Sequence, residues 1–266
     1  MTSDTAALKL IAWNVDGYDD DIHTYVSQLL QEQPAILFLS ETKKKKEELL
    51  IYLNQFDNYH AIVNSHNPSK WHGVAMLIHK QHAFKQIEID MNINSRSDSN
   101  ESDPTIGRII AIHMNNMNII GTYTPNSGKH VDYRINMWDP AFHKVLTHLA
   151  ESTPTLWMGD INVAHHDIDV SNPHRMQHYA GFRQEERQFL TKIFEEGWID
   201  VWRQQHPNDV GYTWVGYSQR TNHGMRLDNM IVSQSFSACG DAFILSPSIA
   251  SDHLPVGIVI KNIIKH

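Results

Sequence analysis

Short apolar runs recur along the chain, and most of them stop on a polar residue. Leu8–Val15, Ala35–Leu39, Gly73–Ile78, Ile109–Met114, Met117–Tyr123, Pro154–Met158, Leu227–Val232, Ala242–Leu245 and Leu254–Ile260 all have strand length. Helical spacing of apolar positions marks three other segments. Tyr25, Val26, Leu29 and Leu30 form a stripe that stops before Pro34. Phe142, Val145, Leu146 and Leu149 follow Asp139 and Pro140, which suit an N-cap and a first helical residue. Phe189, Leu190, Ile193 and Phe194 run up to Gly197. Many strands with few helices predict an α/β sandwich, two packed sheets with helices outside.

Two polar stretches punctuate this pattern. Asn92–Pro104 (NINSRSDSNESDP) reads as a long hairpin loop. Lys43–Lys46, followed by Glu47 and Glu48, reads as the solvated start of a helix, with a phosphate-facing patch as the lesser reading. No tandem repeat, low-complexity tail or linker divides the 266 residues, so one domain over residues 1–266 is expected. No window reaches the roughly 18 uninterrupted apolar residues of a membrane helix. Met1–Leu10 carries Asp4 where a secretory signal has basic residues, so the expectation is an intracellular protein without secretion or transmembrane signal. Cys239 is the single cysteine, which excludes an internal disulfide and fits a reducing compartment. The formal net charge of −8 argues against a surface that holds nucleic acid by basicity alone. Acids gathered around a divalent cation escape that objection, because the cation offsets them.

The polar residues at the strand ends carry the chemistry. Leu8–Trp13 runs into Asn14-Val15-Asp16, and Ala35–Leu39 into Ser40-Glu41. Met117–Tyr123 is followed by Pro125 and Asn126, and Pro154–Met158 by Asp160 and Asn162. Ser251-Asp252-His253 precedes the last strand. Each alone is most simply a turn or cap. Five together describe a rim on which rigid elements present acids, amides and a histidine to one cleft. Asp160 and Asn162, two apart on an extended segment, are expected to point to the same side. Carboxylates and amides are hard oxygen ligands suited to Mg²⁺ or Mn²⁺, and the lack of a Cys cluster argues against structural zinc. Spacing alone thus points to a divalent-metal hydrolase acting on a phosphate ester.

Six motifs in order make the reading specific: IAWNVDG (Ile11–Gly17), SETK (Ser40–Lys43), GTYTPNSG (Gly121–Gly128), GDINVAHHDID (Gly159–Asp169), MRLDNMIVS (Met225–Ser233) and SDHLP (Ser251–Pro255). AGFRQEER (Ala180–Arg187) and GWIDVWR (Gly197–Arg203) join them. With these motifs the chain resembles the exonuclease III-like apurinic/apyrimidinic endonucleases of the endonuclease/exonuclease/phosphatase superfamily, from about Leu8 to Ile260. The resemblance implies a four-layered α/β sandwich, two packed mixed β-sheets flanked by helices. It implies Mg²⁺, for which Mn²⁺ can substitute, bound chiefly by Glu41 with Asp16, Asn14 and Asp252, or at a second position near Asp160, Asn162 and His253.

Further roles follow from the same resemblance. Asp160 would activate or orient the attacking water, with Asn162 on the phosphate beside it. His253 would contact a phosphate oxygen, its ring fixed and charged by Asp228. Tyr123 and Asn126 would hydrogen-bond the scissile phosphate; which of Asp160, His253 and Tyr123 moves the proton stays open. Trp71 and Lys129 are expected to contact nucleic acid, and Trp214, Met225 and Leu227 to line a pocket for a base-free sugar.

The implied partner is double-stranded DNA containing abasic or 3′-blocked sites, handled by a monomer with no membrane attachment. Three departures stand out: Asp19–Asp21 where basic residues often follow WNVDG, Met225 where a larger aromatic is common, and Ile106 before Gly107-Arg108. A less specific nuclease or other phosphoesterase of the superfamily is the alternative activity. A catalytically silent nucleic-acid-binding protein is the alternative from another class.

Overall fold

The computed structural model describes residues 7–65, 72–93, 105–218, 221–236, 240–245 and 250–261. In chain order the first strands are β1 (Leu8–Asn14), β2 (Ile36–Ser40), β3 (Tyr59–Asn64), β4 (Val74–His79), β5 (Phe84–Ile87), β6 (Ile109–Met114) and β7 (Met117–Tyr123). They are followed by β8 (Thr155–Asp160), β9 (Ile199–Asp200), β10 (Trp214–Ser218), β11 (Thr221–Met225), β12 (Asp228–Val232), β13 (Asp241–Ile244) and β14 (Val256–Ile260). One sheet runs β13-β14-β1-β2-β4-β3 and the other β5-β6-β7-β8-β12-β9, while β10 and β11 pair as a separate hairpin. Each sheet is mixed: β1–β2 and β7–β8 are parallel, and their other pairings are antiparallel.

The two sheets face each other across one apolar layer that includes Leu10, Phe38, Met76, Ile112, Ile119, Met158 and Met230. Helices α1 (Asp20–Gln31) and α2 (Lys46–Leu53) cover the outer face of the first sheet through Ile22, Val26, Leu49 and Leu53. Helices α4 (Asp139–Ala150), preceded by the short α3 (Val131–Tyr133), and α5 (Gln184–Glu195) cover the second through Phe142, Leu146, Leu190 and Ile193. The four layers expected from the sequence are therefore present. They explain why the central strands read as unbroken apolar runs: β2, β8 and β12 are buried at every residue because both faces are covered. Among the described residues no helix is long and apolar enough to cross a membrane.

Phe38 shows how the layers close on the site. A Cβ on Gly121 would stand 2.4 Å from its ring, and one on Gly159 would stand 2.3 Å from the Thr122 carbonyl oxygen. Gly159 also adopts φ +119, so the residue before Asp160 must be glycine on two counts. Full burial of a ring of this size is worth about 3 kcal/mol.

Several local readings change. Asp139 is not an N-cap. The helix begins with α3 (Val131–Tyr133), continues through a π-helical turn at Arg134–Trp138 and runs on as α4. Pro140 cannot donate to the carbonyl of Asn136 and would clash with it in a regular helix. The wider turn is closed by the Asp139 N–H on the Arg134 carbonyl. Strands β3, β5, β9, β10 and β11 carry too many polar residues, or are too short, to have been read as apolar runs. Asp19 caps α1 by accepting from the Ile22 N–H at 2.9 Å, and Asp20 accepts from the Tyr52 hydroxyl at 3.1 Å, so this acidic run starts a helix. The hairpin-loop reading of Asn92–Pro104 lies, from residue 94 on, outside the described residues, as do Trp71 and Cys239.

Candidate active site

The parallel pairs aim four strand ends at one edge. Asn14 closes β1 beside Ser40 of β2, and Tyr123 closes β7 beside Asp160 of β8. Antiparallel β12 begins at Asp228, directly opposite Asp160. Backbone pairing outlasts the first two strands, with Val15 N–H on the Ser40 carbonyl at 3.0 Å and Gly17 N–H on the Glu41 carbonyl at 2.8 Å. The turn carrying Glu41 is tight: Asp16, Glu41 and Lys43 all have φ near +50, a region L-residues seldom enter. Such turns persist only where surrounding bonds determine them.

Asn14 is the hinge of the cluster. Its amide nitrogen donates to Glu41 Oε1 and to Asp160 Oδ2, both at 2.9 Å, joining the two sheets through one buried side chain. Glu41, Asp160 and His253 each offer a ligand atom, and these atoms lie within 4.8 Å of one another. Two carboxylates are hard oxygen ligands that fit a divalent cation, while the Asn14 amide turns its nitrogen toward them and its oxygen to the Asp16 N–H. Asp16 and Asp252, expected as ligands, stand beside Glu41: Asp16 pairs with Lys43, which also sits 3.0 Å from Glu41, and Asp252, its carboxyl raised by burial and by Asp16 and Glu41, accepts from Trp214 Nε1 at 2.8 Å.

Asp160 and Asn162 meet, but not by strand alternation. Asp160 is the last residue of β8, and Asn162 turns back with φ +54. The Asn162 N–H donates to Asp160 Oδ1 at 2.8 Å, and its amide donates to Asp160 Oδ2 at 3.2 Å and to the Thr124 carbonyl at 2.9 Å. Asn126 then donates to Asn162 Oδ1 at 3.1 Å. His253 Nδ1 lies 2.8 Å from Asp228 Oδ2, leaving Nε2 as the ring nitrogen outside that bond.

Burial by itself would strip the proton from His253, but Asp228, Asp160 and Asp252 outweigh it and hold the imidazole protonated, pushed up to about 10. An imidazolium donates hydrogen bonds and does not ligate a metal, which favours contact with a phosphate oxygen. Tyr123 is driven upward by burial and by Glu41 and Asp160, so its phenol stays protonated and acts as a donor. Asp160 is raised well above the ordinary carboxylate range by burial and by Asp228 across the ladder. A cation binding there displaces its proton. Calorimetry in buffers of different ionisation enthalpy is therefore expected to report proton release, with affinity weakening by up to about tenfold per pH unit below neutrality. Identical heats in all buffers would remove Asp160 from the ligand set.

The other expected contacts differ in exposure. Lys129 and Asn126 are exposed on the loop after β7. Met225 and Leu227, 3% and 5% exposed, pack in a closed cluster with Val170, Met176 and Phe182, and among the described residues only Trp214 reaches its edge. Sequence reasoning missed Thr213 and Ser251. Thr213 Oγ1 donates to Asp228 Oδ2 at 2.7 Å while accepting from the Leu227 and Asp228 N–H groups at 2.9 and 3.0 Å. Ser251 Oγ donates to the Asn14 carbonyl at 2.7 Å and accepts from the His253 N–H at 3.1 Å. The expected SDHLP motif contained Ser251, but nothing local distinguished Thr213 from any threonine before a tryptophan.

Known proteins resemble this chain in sequence and fold. The sequence profile of the Endonuclease/Exonuclease/phosphatase family matches residues 11–253. The chain is 30% identical to an exodeoxyribonuclease of Bacillus subtilis over 96% of its own length and 100% of that protein. It is 32% identical to a DNA-(apurinic or apyrimidinic site) endonuclease of Dictyostelium discoideum, over 95% of this chain and 70% of that one. An AP endonuclease structure from Archaeoglobus fulgidus superposes with a TM-score of 0.78 at 25% identity, covering 95% of this chain and 99% of the other.

Proposed function

The chain belongs to the endonuclease/exonuclease/phosphatase family, and on that premise we propose a divalent-metal-dependent DNA repair phosphodiesterase that cuts the backbone 5′ to abasic sites. Activity at 3′-blocked ends and 3′–5′ exonuclease activity belong to the same proposal, as do Mg²⁺ as the working ion and a monomer as the working form. One observation carries it. Asn14, Glu41, Asp160, Asn162, Asp228 and His253, from separate elements of both sheets, converge through direct hydrogen bonds and close approach on one rim. A binding protein without catalysis has no use for a buried His–Asp pair, 2.8 Å apart, beside a second buried carboxylate.

Glu41 and Asp160 would hold the cation, which when bound polarises a phosphate oxygen and stabilises charge on the leaving oxygen. Asp160, its carboxylate freed of its proton when the cation binds, would take a proton from the attacking water as oxygen bonds to phosphorus. The bond from phosphorus to the 3′ oxygen breaks, and that oxygen takes up a proton from solvent water, leaving a 3′ hydroxyl and a 5′ phosphate. His253 and Asn126 donate to the non-bridging oxygens, where charge develops. Tyr123, kept protonated, donates within the same site.

A second reading has its own support. With Met225 and Leu227 buried, the apolar cluster is closed to a flipped sugar, which favours a less damage-specific nuclease. Duplexes with and without one tetrahydrofuran abasic analogue, incubated in Mg²⁺, Mn²⁺ or EDTA, separate the two. The abasic duplex is expected to be cut at least about 100-fold faster, a difference of roughly 3 kcal/mol at the transition state, and neither duplex is cut in EDTA. Equal rates on both duplexes establish the second reading, and cleavage in EDTA removes the metal.

A further inference from the structure

We infer that Arg134 is a positioning residue that clamps the two loops bearing Asn126 and Asp160–Asn162. The inference rests on the proposed phosphodiester cleavage for its kinetic consequence. Arg134 is fully buried at the start of the π-helical turn. Its Nη1 donates to the Pro125 carbonyl at 2.6 Å and its Nη2 to the Ile161 carbonyl at 3.2 Å, while Nε donates to Asp139 Oδ1 at 2.6 Å. Pro125 immediately precedes Asn126, and Ile161 lies between Asp160 and Asn162. One planar group therefore fixes the separation of two main-chain segments that come from β7 and β8.

The helix is shaped for this. In a regular α-helix, residues five apart do not stack on one face. The π turn closes from residue 139 back to residue 134, which brings Asp139 over the guanidinium it neutralises. A buried guanidinium is a poor way to gain stability alone, because its desolvation offsets much of what pairing returns. A rigid fork with donors at fixed angles does supply what a packed apolar side chain cannot, a set distance between two carbonyls. The hydrogen bonds from Asn126 to Asn162 and from Asn162 to Thr124, at 3.1 and 2.9 Å, depend on that distance. Arg134 itself has no exposure through which to touch substrate.

The test is Arg134→Lys, which keeps the charge beside Asp139 but cannot bridge both carbonyls as a fork. Hydrogen exchange is compared for peptides covering residues 121–127 and 158–163 against residues 74–79 in β4. The expected result is faster exchange in the two loops with β4 unchanged, together with kcat lower by about 10- to 100-fold and KM within about threefold. Asp139→Asn retains an acceptor oxygen for Nε and both carbonyl bonds; it should lower Tm while kcat stays within about threefold of wild type.

Loop exchange at the wild-type level in Arg134→Lys, or loop exchange rising only as much as in β4, overturns the clamp. An equal kcat loss in Asp139→Asn also overturns it, since both variants would then report general destabilisation. If Arg134→Lys does not fold, Arg134→Gln, which removes the buried charge, is measured in its place. Wild-type protein that leaves an abasic duplex uncut defeats the proposed function, and the exchange data still decide the clamp.

Discussion

Asp160→Asn is expected to lower kcat on an abasic-site duplex by about 10³- to 10⁴-fold, the upper range for loss of a general base that also holds the metal. The substitution keeps the shape of the side chain but only one of its two acceptors, so its oxygen can serve either the Asn162 N–H or the Asn14 amide, not both. It removes the basic carboxylate. Stability should change far less. Asp160 is fully buried opposite Asp228, and burial, Asp228 and Glu41 all disfavour its charged form. A carboxylate whose folded-state pKa is raised costs stability above its unfolded pKa, increasingly as pH rises toward the folded value. The neutral variant escapes that cost but turns an NH₂ toward a donor that the carboxylate accepted from, so its Tm near neutral pH should stay close to that of wild type. Activity within about tenfold of wild type, a loss of only about 1.4 kcal/mol, would show that the reacting water is handled elsewhere. Such an exchange of stability for a reactive carboxylate is common at catalytic centres.

Asp169→Asn should do the reverse, costing about 3–5 kcal/mol of stability by leaving a buried cation without its partner. Asp169, fully buried, accepts from Arg226 Nε at 2.7 Å, from Arg203 Nη2 at 2.5 Å and from the His166 N–H at 2.9 Å. Arg226 is 2% exposed and also donates to Asp200 Oδ2 at 2.6 Å and to Asn229. The network ties the loop after Asn162 to the start of β12, two residues before Asp228. Burial alone would raise the Asp169 carboxyl, but Arg226 and Arg203 hold it down at about 2.

The sign for pH follows from that depression. The contribution is fully present above the unfolded value near 4 and is lost as pH falls through about 2. Urea melts at neutral pH should show a lower midpoint at an unchanged slope, and the stability of wild type should fall more steeply than that of the variant between pH 4 and 2. A midpoint shift corresponding to less than about 1 kcal/mol would mean that Asp200 and Asn229 suffice for Arg226.

The site was legible in proportion to how local its causes are. Asn14, Glu41, Asp160 and His253 stood out because each interrupts or follows an apolar run that a buried strand requires, and a polar residue at that place needs a reason. Arg134 carried no such mark. An arginine pointing into the protein and one pointing to solvent have the same sequence appearance, and the π turn that aims this one depends on Pro140 and on carbonyls contributed by two distant loops. Met225 and Leu227 were legible as apolar residues near the site, but their burial depends on Phe182 and Met176 closing over them.

The sequence alone determined the layered class of the fold, the central strands of both sheets and the identity of the polar residues at their ends. Hydrophobic period and length report local burial, and a strand covered on both faces leaves an unbroken apolar run. Tertiary structure decided which of those polar ends meet. It set Asp228 opposite Asp160, turned Asp16 onto Lys43, and folded Asn162 back on Asp160 through a left-handed turn instead of along a strand. It also placed the edge strands β3 and β5, whose exposed faces leave no continuous apolar signal. These outcomes depend on register and on hydrogen bonds between residues far apart in the chain, which no local pattern encodes.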